Sequence, residues 1–207
     1  LKGDGATPEG DRPFLARLNL NNGETTEVFR SFPPFLERPL LFMDDSLGRV
    51  LVRRESVEQP PNYYVTDLRT GAMDTLTEFP HPTPQLLGIE KELVTYERED
   101  GLPLSAVIYL PPGYDSEDGP LPMLVWAYPQ DYASADAAGQ VRTSPHSFDR
   151  IGWWSPLVWL VRGYAVMDDP AMPIVADSGG QPNDTFLPQL TSSARAAVDY
   201  AVSRGIA

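Results

Sequence analysis

Four carboxylates late in the chain are the side chains whose types first suggest chemistry. Asp168, Asp169, Asp177 and Asp184 lie close together in the sequence, and carboxylate oxygens are the ligands that calcium and magnesium ions prefer. Their spacing fits no recognised cation-binding loop, because the pattern Asp-x-Asx-x-Asx-Gly is absent from the sequence. The sequence therefore predicts solvated loop carboxylates, with no metal and no cofactor.

The groups that could serve in nucleophilic catalysis are few. There is no cysteine, which removes thiolate nucleophiles, thiolate metal sites and disulfides. The sequence contains neither the Gly-x-Ser-x-Gly elbow of a nucleophilic serine nor a glycine-rich phosphate loop. Two histidines remain, His81 between two prolines and His146 in a loop, and we expect both to be structural.

Charge and hydropathy exclude two classes of partner. The chain of 207 residues has 29 acidic against 16 basic side chains, a net charge of −13, and this field repels phosphate backbones and anionic lipids. The most apolar run, Ile151–Val161, is interrupted by Ser155 and Pro156 and is shorter than the roughly 20 residues of a membrane span. We therefore expect no nucleic acid and no membrane partner, while the lack of cysteine leaves the compartment open.

The elements that must position any site differ between the two halves of the chain. In the first half, residues 18–23 and 66–71 match in register 48 residues apart, and each match is followed by a second short strand. Strand, glycine turn and strand form the outer hairpin of a propeller blade, and the period fits such blades. The alternative is that these are two unrelated hairpins, which occur in any β-rich protein.

A second similarity joins residues 51–55 to residues 93–97 with an offset of 42. A blade buries its faces only against neighbouring blades, so two blades predict further blades before Leu1. The first residue is not methionine and no leader sequence follows it, so we expect the numbering to begin inside a longer chain.

From Gly101 the pattern changes to strands that alternate with helices, and the domain boundary is therefore placed between 1–100 and 101–207. Apolar runs predict strands, and 122–127 has the composition of a strand buried on both faces. Residues 154–161 and 184–204 have helical spacing, the second with Asp184 and Gly205 as caps. The predicted strands are 104–110, 122–127 and 164–167, and the apolar stripe of the last helix comprises Leu187, Leu190, Ala194, Ala197, Val198 and Ala201. This order predicts the opening of an α/β domain with a parallel sheet.

Three segments resemble a known family. Residues 96–101 (Tyr-Glu-Arg-Glu-Asp-Gly) and 110–114 (Leu-Pro-Pro-Gly-Tyr) resemble the junction between propeller and hydrolase domain in the prolyl oligopeptidase family. Residues 125–129 (Val-Trp-Ala-Tyr-Pro), with 138–145 and 162–166, are most similar to its glutamyl endopeptidase branch. The resemblance implies the terminal blades of a β-propeller followed by the N-terminal part of an α/β-hydrolase domain.

The same resemblance implies a serine peptidase that acts on peptides through a Ser-Asp-His triad, with cleavage after glutamate. Because hydrolases of this fold keep the order serine, acid, histidine, His81 and His146 come too early to be the base. We expect the whole triad beyond Ala207, so that this chain alone is inactive and requires the C-terminal part of the domain, or a second copy, to cover its sheet. A non-catalytic binding protein built from a propeller and a degenerate hydrolase domain is the alternative.

Three residues are the candidate site residues that the resemblance implies. In this fold the loop after the third core strand supplies part of the oxyanion hole, and here it spans 127–131. The donor is Tyr128 or Trp126, of which Tyr128 is preferred since Trp126 belongs to the strand; alternatively, both are buried aromatic residues. Arg142 is the candidate cation for a substrate glutamate, the alternative being an ordinary surface arginine.

Overall fold

The computed structural model describes residues 1–176 and 180–207. The chain divides into two compact units, Leu1–Pro84 with Arg142–Arg150, and Gln85–Val141 with Ile151–Ala207. This division falls after Pro84, whereas the sequence places a domain boundary after residue 100. The assignment of 1–100 to a propeller and 101–207 to a hydrolase domain stays a prediction.

The first unit consists of antiparallel strands joined by tight turns. One sheet has the order β1-β2-β3 and the other β4-β5-β6-β7, and the side chains of Leu15, Val50 and Val52 form a buried apolar cluster. The strands are β1 (Lys2–Gly3), β2 (Phe14–Leu18), β3 (Thr25–Arg30), β4 (Leu36–Phe42), β5 (Arg49–Glu55), β6 (Asn62–Asp67) and β7 (Met73–Thr75).

The two hairpins predicted from the repeat are confirmed, and their turns are equivalent. β2 pairs with β3, and β6 with β7, both antiparallel. In the first turn the Gly23 N–H donates to the Asn19 carbonyl at 2.8 Å; 48 residues later the Gly71 N–H donates to the Asp67 carbonyl, also at 2.8 Å. Both glycines have positive φ, 75° and 73°, which a side chain would disfavour.

The second unit contains a four-stranded sheet and a separate pair of strands. The sheet has the order β8-β9-β12-β10, and β11 pairs with β13. The strands are β8 (Glu90–Glu97), β9 (Pro103–Leu110), β10 (Met123–Trp126), β11 (Pro129–Tyr132), β12 (Ala165–Asp168) and β13 (Met172–Val175); the α-helices are α1 (Ala135–Ala138) and α2 (Phe186–Ser203), and 3₁₀ helices span Pro84–Leu86, Ser116–Asp118, Pro156–Arg162 and Pro182–Thr185.

The four-stranded sheet is mixed, so the prediction of a parallel sheet is only partly right. β10 and β12 are parallel, but β12 is antiparallel to β9, and β9 to β8. Residues 93–97, which the sequence relates to a blade strand, lie in β8 and pair with β9. The turn at residues 98–101 explains this, since the Gly101 N–H donates to the Arg98 carbonyl and folds β8 directly onto β9.

β10 is not buried on both faces as its composition predicts. Val125 is 38% exposed and Trp126 52% exposed, whereas Ala165, Val166 and Met167 of β12 are completely buried. Within the described residues, β10 has β12 as its only strand partner. Its apolar composition therefore belongs to a strand at the edge of the described sheet.

The two predicted helices differ from the prediction, one in where it begins and the other in its helix type. α2 begins at Phe186 after a 3₁₀ turn, and the Asp184 carboxylate accepts from the Gln181 N–H at 3.0 Å instead of capping α2. The predicted helix at 154–161 is a 3₁₀ helix that ends, as predicted, at Gly163 in the left-handed conformation. No helix among the described residues is long and apolar enough to span a bilayer.

Candidate functional site

The carboxyl ends of β10 and β12 meet at one edge of the second unit's sheet. The two strands run parallel, with Trp126 opposite Asp168 as their last pair. Directly beyond it, the Asp169 N–H donates to the Trp126 carbonyl at 2.9 Å. In open α/β sheets, ligands bind in the crevice outside the carboxyl ends of the strands, so this edge is the candidate site.

The loop predicted at 127–131 is shorter in the structure, because β11 begins at Pro129. Ala127 and Tyr128 connect β10 to β11 at this edge, and this two-residue connection is called the turn below. The turn is held on both sides, since β10 before it pairs with β12 and β11 after it pairs with β13 from Pro129 onwards. Tyr128 is 76% exposed and Trp126 is 52% exposed. The alternative that both are buried aromatic residues is therefore wrong, and the Tyr128 hydroxyl is available to a ligand.

Asp169 lies next to the end of β10, and its sequence context suggests only a cation ligand. Its φ of 47° is in the left-handed region, which costs a residue with a side chain about 1–2 kcal/mol and which aspartate tolerates better than most. The residue as a whole is exposed, yet partial desolvation of its carboxyl group raises the pKa of Asp169. The signal in the sequence was an aspartate followed by proline at a strand end, which does not by itself indicate a strained backbone.

The other carboxylates of the sequence-based cluster have separate surroundings. Asp168 ends β12, and Asp184 caps a 3₁₀ turn, while Asp177 lies outside the described residues. Over 1–176 and 180–207, no group of three or more histidine, cysteine, aspartate or glutamate side chains could hold a metal ion.

Arg142 and the two histidines belong to the first unit. Arg142 is exposed and begins the segment 142–150, which is joined to the rest of that unit where the Asp11 N–H donates to the Thr143 carbonyl at 2.8 Å. The His81 ring packs edge-on against Phe148, with 5.1 Å between ring centroids. A structural role for His81 agrees with this packing, and the role of Arg142 stays a prediction.

Two curated relatives match the whole chain. Proteins named probable glutamyl endopeptidase, chloroplastic, from Oryza sativa subsp. japonica and from Arabidopsis thaliana are 42% and 41% identical to it over 217 aligned positions. The match covers 100% of this chain and 23% of each relative, so the chain spans about a quarter of their length. No family model matches the sequence.

Solved structures with the same fold are peptidases as well. The AtxE2 isopeptidase superposes with a TM-score of 0.61 at 17% identity, over 94% of this chain and 29% of that one. Oligopeptidase B from Leishmania major superposes with a TM-score of 0.60 at 12% identity, over 97% of this chain and 28% of that one. At these identities the likeness shows the fold alone.

The sequence relatives and the fold agree with the resemblance seen in the sequence. Over its whole length the chain is therefore similar to two proteins named probable glutamyl endopeptidase, and its fold is similar to that of solved peptidase structures.

Proposed function

We propose that the protein containing this chain is a serine peptidase, and that this chain supplies the first strands of its catalytic sheet and the oxyanion-hole loop. The observation that carries the proposal is the pair of parallel strands β10 and β12, because the exposed Tyr128 follows the carboxyl end of β10. An oxyanion hole requires donors fixed where negative charge develops on the substrate carbonyl. The Tyr128 hydroxyl meets that requirement, because strand pairing holds the chain both before and after this residue.

The triad belongs, in this proposal, to residues that follow Ala207. The end of the described chain returns to the start of β10, because the Leu121 N–H donates to the Ile206 carbonyl at 2.8 Å. A strand that continued from there beside β10 would run parallel to it and end level with Trp126. A serine at the end of that strand would then lie at the same edge as Tyr128, as the nucleophile elbow requires.

We further propose that the first unit contributes terminal blades of a β-propeller and that the substrates are peptides cleaved after glutamate. The equivalent hairpin turns 48 residues apart support the propeller. Arg142, exposed in the first unit, is the proposed partner of the substrate glutamate, since guanidinium groups bind carboxylates with two parallel hydrogen bonds. The names of the curated relatives support this specificity.

Labelling of the full-length protein with a fluorophosphonate tests the peptidase proposal. A serine activated by a triad reacts covalently with the probe, and a non-catalytic scaffold does not. Absence of labelling in folded full-length protein would favour the binding-protein alternative.

The oxyanion role is tested by Tyr128→Phe, which removes only the hydroxyl. We expect kcat to fall about 100-fold, as for loss of one oxyanion donor, with little change in KM. Tyr132→Phe is the matched control, because the Tyr132 hydroxyl donates to Gln130 of the same strand at 2.9 Å. A loss of kcat in Trp126→Phe but not in Tyr128→Phe would assign the donor to the indole.

The glutamate specificity is tested by Arg142→Gln on peptide pairs that differ only in glutamate or glutamine before the scissile bond. We expect kcat/KM to fall about tenfold for the glutamate peptide alone, because a charge-assisted hydrogen bond is lost. Arg150→Gln, at an exposed arginine of the same segment, is the control. Equal losses on both peptides would contradict a role in specificity.

A further inference from the structure

The strand pair that follows the candidate oxyanion loop has little support from its own pairing. β11 and β13 form a two-stranded parallel sheet, and an isolated two-stranded sheet is marginally stable in water. Each strand of such a pair also has one edge whose backbone groups need partners. Since β11 starts at Pro129, directly after Tyr128, the position of Tyr128 depends on what stabilises this pair.

The side chain of Gln189 in α2 takes the place of a neighbouring strand for β13. Its Nε2 group donates to the Val175 carbonyl at 2.8 Å, and its Oε1 atom accepts from the Val175 N–H at 3.0 Å. Both backbone groups of Val175 are thus satisfied by one amide, as they would be in a sheet ladder. Gln189 Nε2 also donates to Thr185 Oγ1 at 2.7 Å, which fixes the orientation of the amide.

Arg98, in the turn after β8, holds the same edge of β13 from a distant part of the sequence. Its side chain is only 5% exposed. One terminal nitrogen donates to the Pro173 carbonyl and to Ser193 Oγ, both at 3.2 Å, and the other donates to Gln189 Oε1 at 3.4 Å. The charge is balanced by Asp100, which accepts from two guanidinium nitrogens at 2.9 and 2.8 Å.

We propose that Arg98 and Gln189 are positioning residues for the turn formed by Ala127 and Tyr128. They hold β13 through the backbone of Pro173 and Val175, β13 holds β11 through the parallel ladder, and β11 fixes the residue that precedes it. Neither side chain needs to touch the substrate for this role. The inference deepens the proposed function, and its catalytic part rests on Tyr128 as the oxyanion donor.

The experiment replaces Gln189 with methionine in the full-length protein, which keeps the side-chain length and removes its hydrogen bonds with Val175. We expect amide exchange in residues 129–132 to become about tenfold faster, because the local opening free energy falls when the edge is released. We expect kcat to fall about tenfold with KM nearly unchanged, because a misplaced hydroxyl donor stabilises the transition state less and affects substrate binding little. Tyr128→Phe should then have a much smaller effect in the Gln189→Met background than in the native protein.

Thr191→Met, at an exposed position of the same helix, is the matched control and should leave exchange and kinetics unchanged. Gln189→Glu, which keeps the acceptor and loses the donor, should give about a threefold faster exchange in 129–132 and serves if Gln189→Met does not fold. Unchanged exchange in 129–132 in the folded Gln189 variants would overturn the positioning role.

The positioning role and the oxyanion role fail in different experiments. Faster exchange in 129–132 together with native kcat in Tyr128→Phe would support the positioning of the turn and refute Tyr128 as the donor. A full effect of Tyr128→Phe in the Gln189→Met background would show that the turn keeps its position without Gln189, and would overturn the inference.

Discussion

Two successive parallel pairs join the same two stretches of chain and are stabilised in different ways. β10 pairs with β12 inside a four-stranded sheet, where Val166 and Met167 are completely buried in apolar clusters. β11 pairs with β13 outside that sheet, where Arg98 and Gln189 satisfy the backbone of β13. Apolar packing acts on both pairs, since Met172 and Ile174 of β13 are also buried, and the second pair has directed side-chain hydrogen bonds in addition. The turn with Tyr128 lies between them, so both kinds of support act on one residue.

The largest expected effect comes from removing apolar packing in β12. Met167→Ala should lower the free energy of unfolding by about 2–5 kcal/mol, because it leaves a cavity in the buried cluster. Val125→Ala in the partly exposed β10 should cost less than about 1 kcal/mol. Urea unfolding of both variants measures the difference, and similar costs would show that β10 is as well packed as β12.

The next largest effect concerns the charge that balances Arg98. Asp100→Asn should cost about 1–2 kcal/mol at neutral pH, because a buried guanidinium loses a charged acceptor. Hydrogen bonds from Arg98 lower the pKa of Asp100. A lowered pKa in the folded state gives stability that is present above the usual value of 3.8 and is lost as the pH falls through the lowered pKa.

Unfolding experiments between pH 7 and pH 3 test this dependence. The difference between native protein and Asp100→Asn should be constant near neutrality and should narrow below about pH 4. A difference that grew on acidification would contradict the sign of the shift.

A smaller effect is expected at Ser193, which is completely buried and accepts a hydrogen bond from Arg98. Ser193→Ala should cost about 1 kcal/mol, since an N–H group of a buried guanidinium loses an acceptor. Ser192→Ala, at a half-buried neighbour on the same helix, should change stability by less than about 0.5 kcal/mol. In an Arg98→Met background the cost of Ser193→Ala should disappear, because the donor is gone; a persistent cost would mean that the serine acts through packing.

The smallest expected effect is an increase in the free energy of unfolding, in contrast to the losses above. Asp169→Asn should stabilise the fold by about 0.5 kcal/mol at neutral pH, because asparagine tolerates the positive φ of this position as aspartate does but carries no charge to desolvate. Burial raises the pKa of Asp169, so its penalty is present above the raised pKa and is relieved as the pH falls through it. The gain should therefore vanish below about pH 4, and a gain that persisted there would have a cause other than charge.

Local determinants made the first unit predictable. The two hairpin turns depend on a glycine with positive φ and on alternating strands directly beside it, and both are visible in a few residues of sequence. The end of the 3₁₀ helix at Gly163 was predictable for the same reason. The pairing of 93–97 with β9 was not, because similarity to another strand does not identify a strand's partner.

The site was predictable only where it follows a strand. Trp126 ends β10, as predicted, and Tyr128 follows that strand, while their role as oxyanion donors stays a prediction. Arg98, Gln189 and Ser193 were missed, because the hydrogen bonds from Arg98 to Ser193 and to Gln189 connect residues more than 90 positions apart. The predicted stripe of α2 is wrong at Leu187 and Val198, which are exposed, whereas Ser193, which accepts a hydrogen bond from Arg98, is completely buried.

The open edge of β10 has a consequence for the chain in concentrated solution. In the described part of the chain no strand lies on the outer side of β10, where Val125 and Trp126 are exposed, and such an edge can pair with another strand of the same kind. Two copies that met through this edge would be related by a two-fold axis and would pair antiparallel, which is the symmetry most dimers adopt. A strand from the same polypeptide would compete with that dimer at a high effective concentration, so self-association should decrease once the sheet is extended beyond β10.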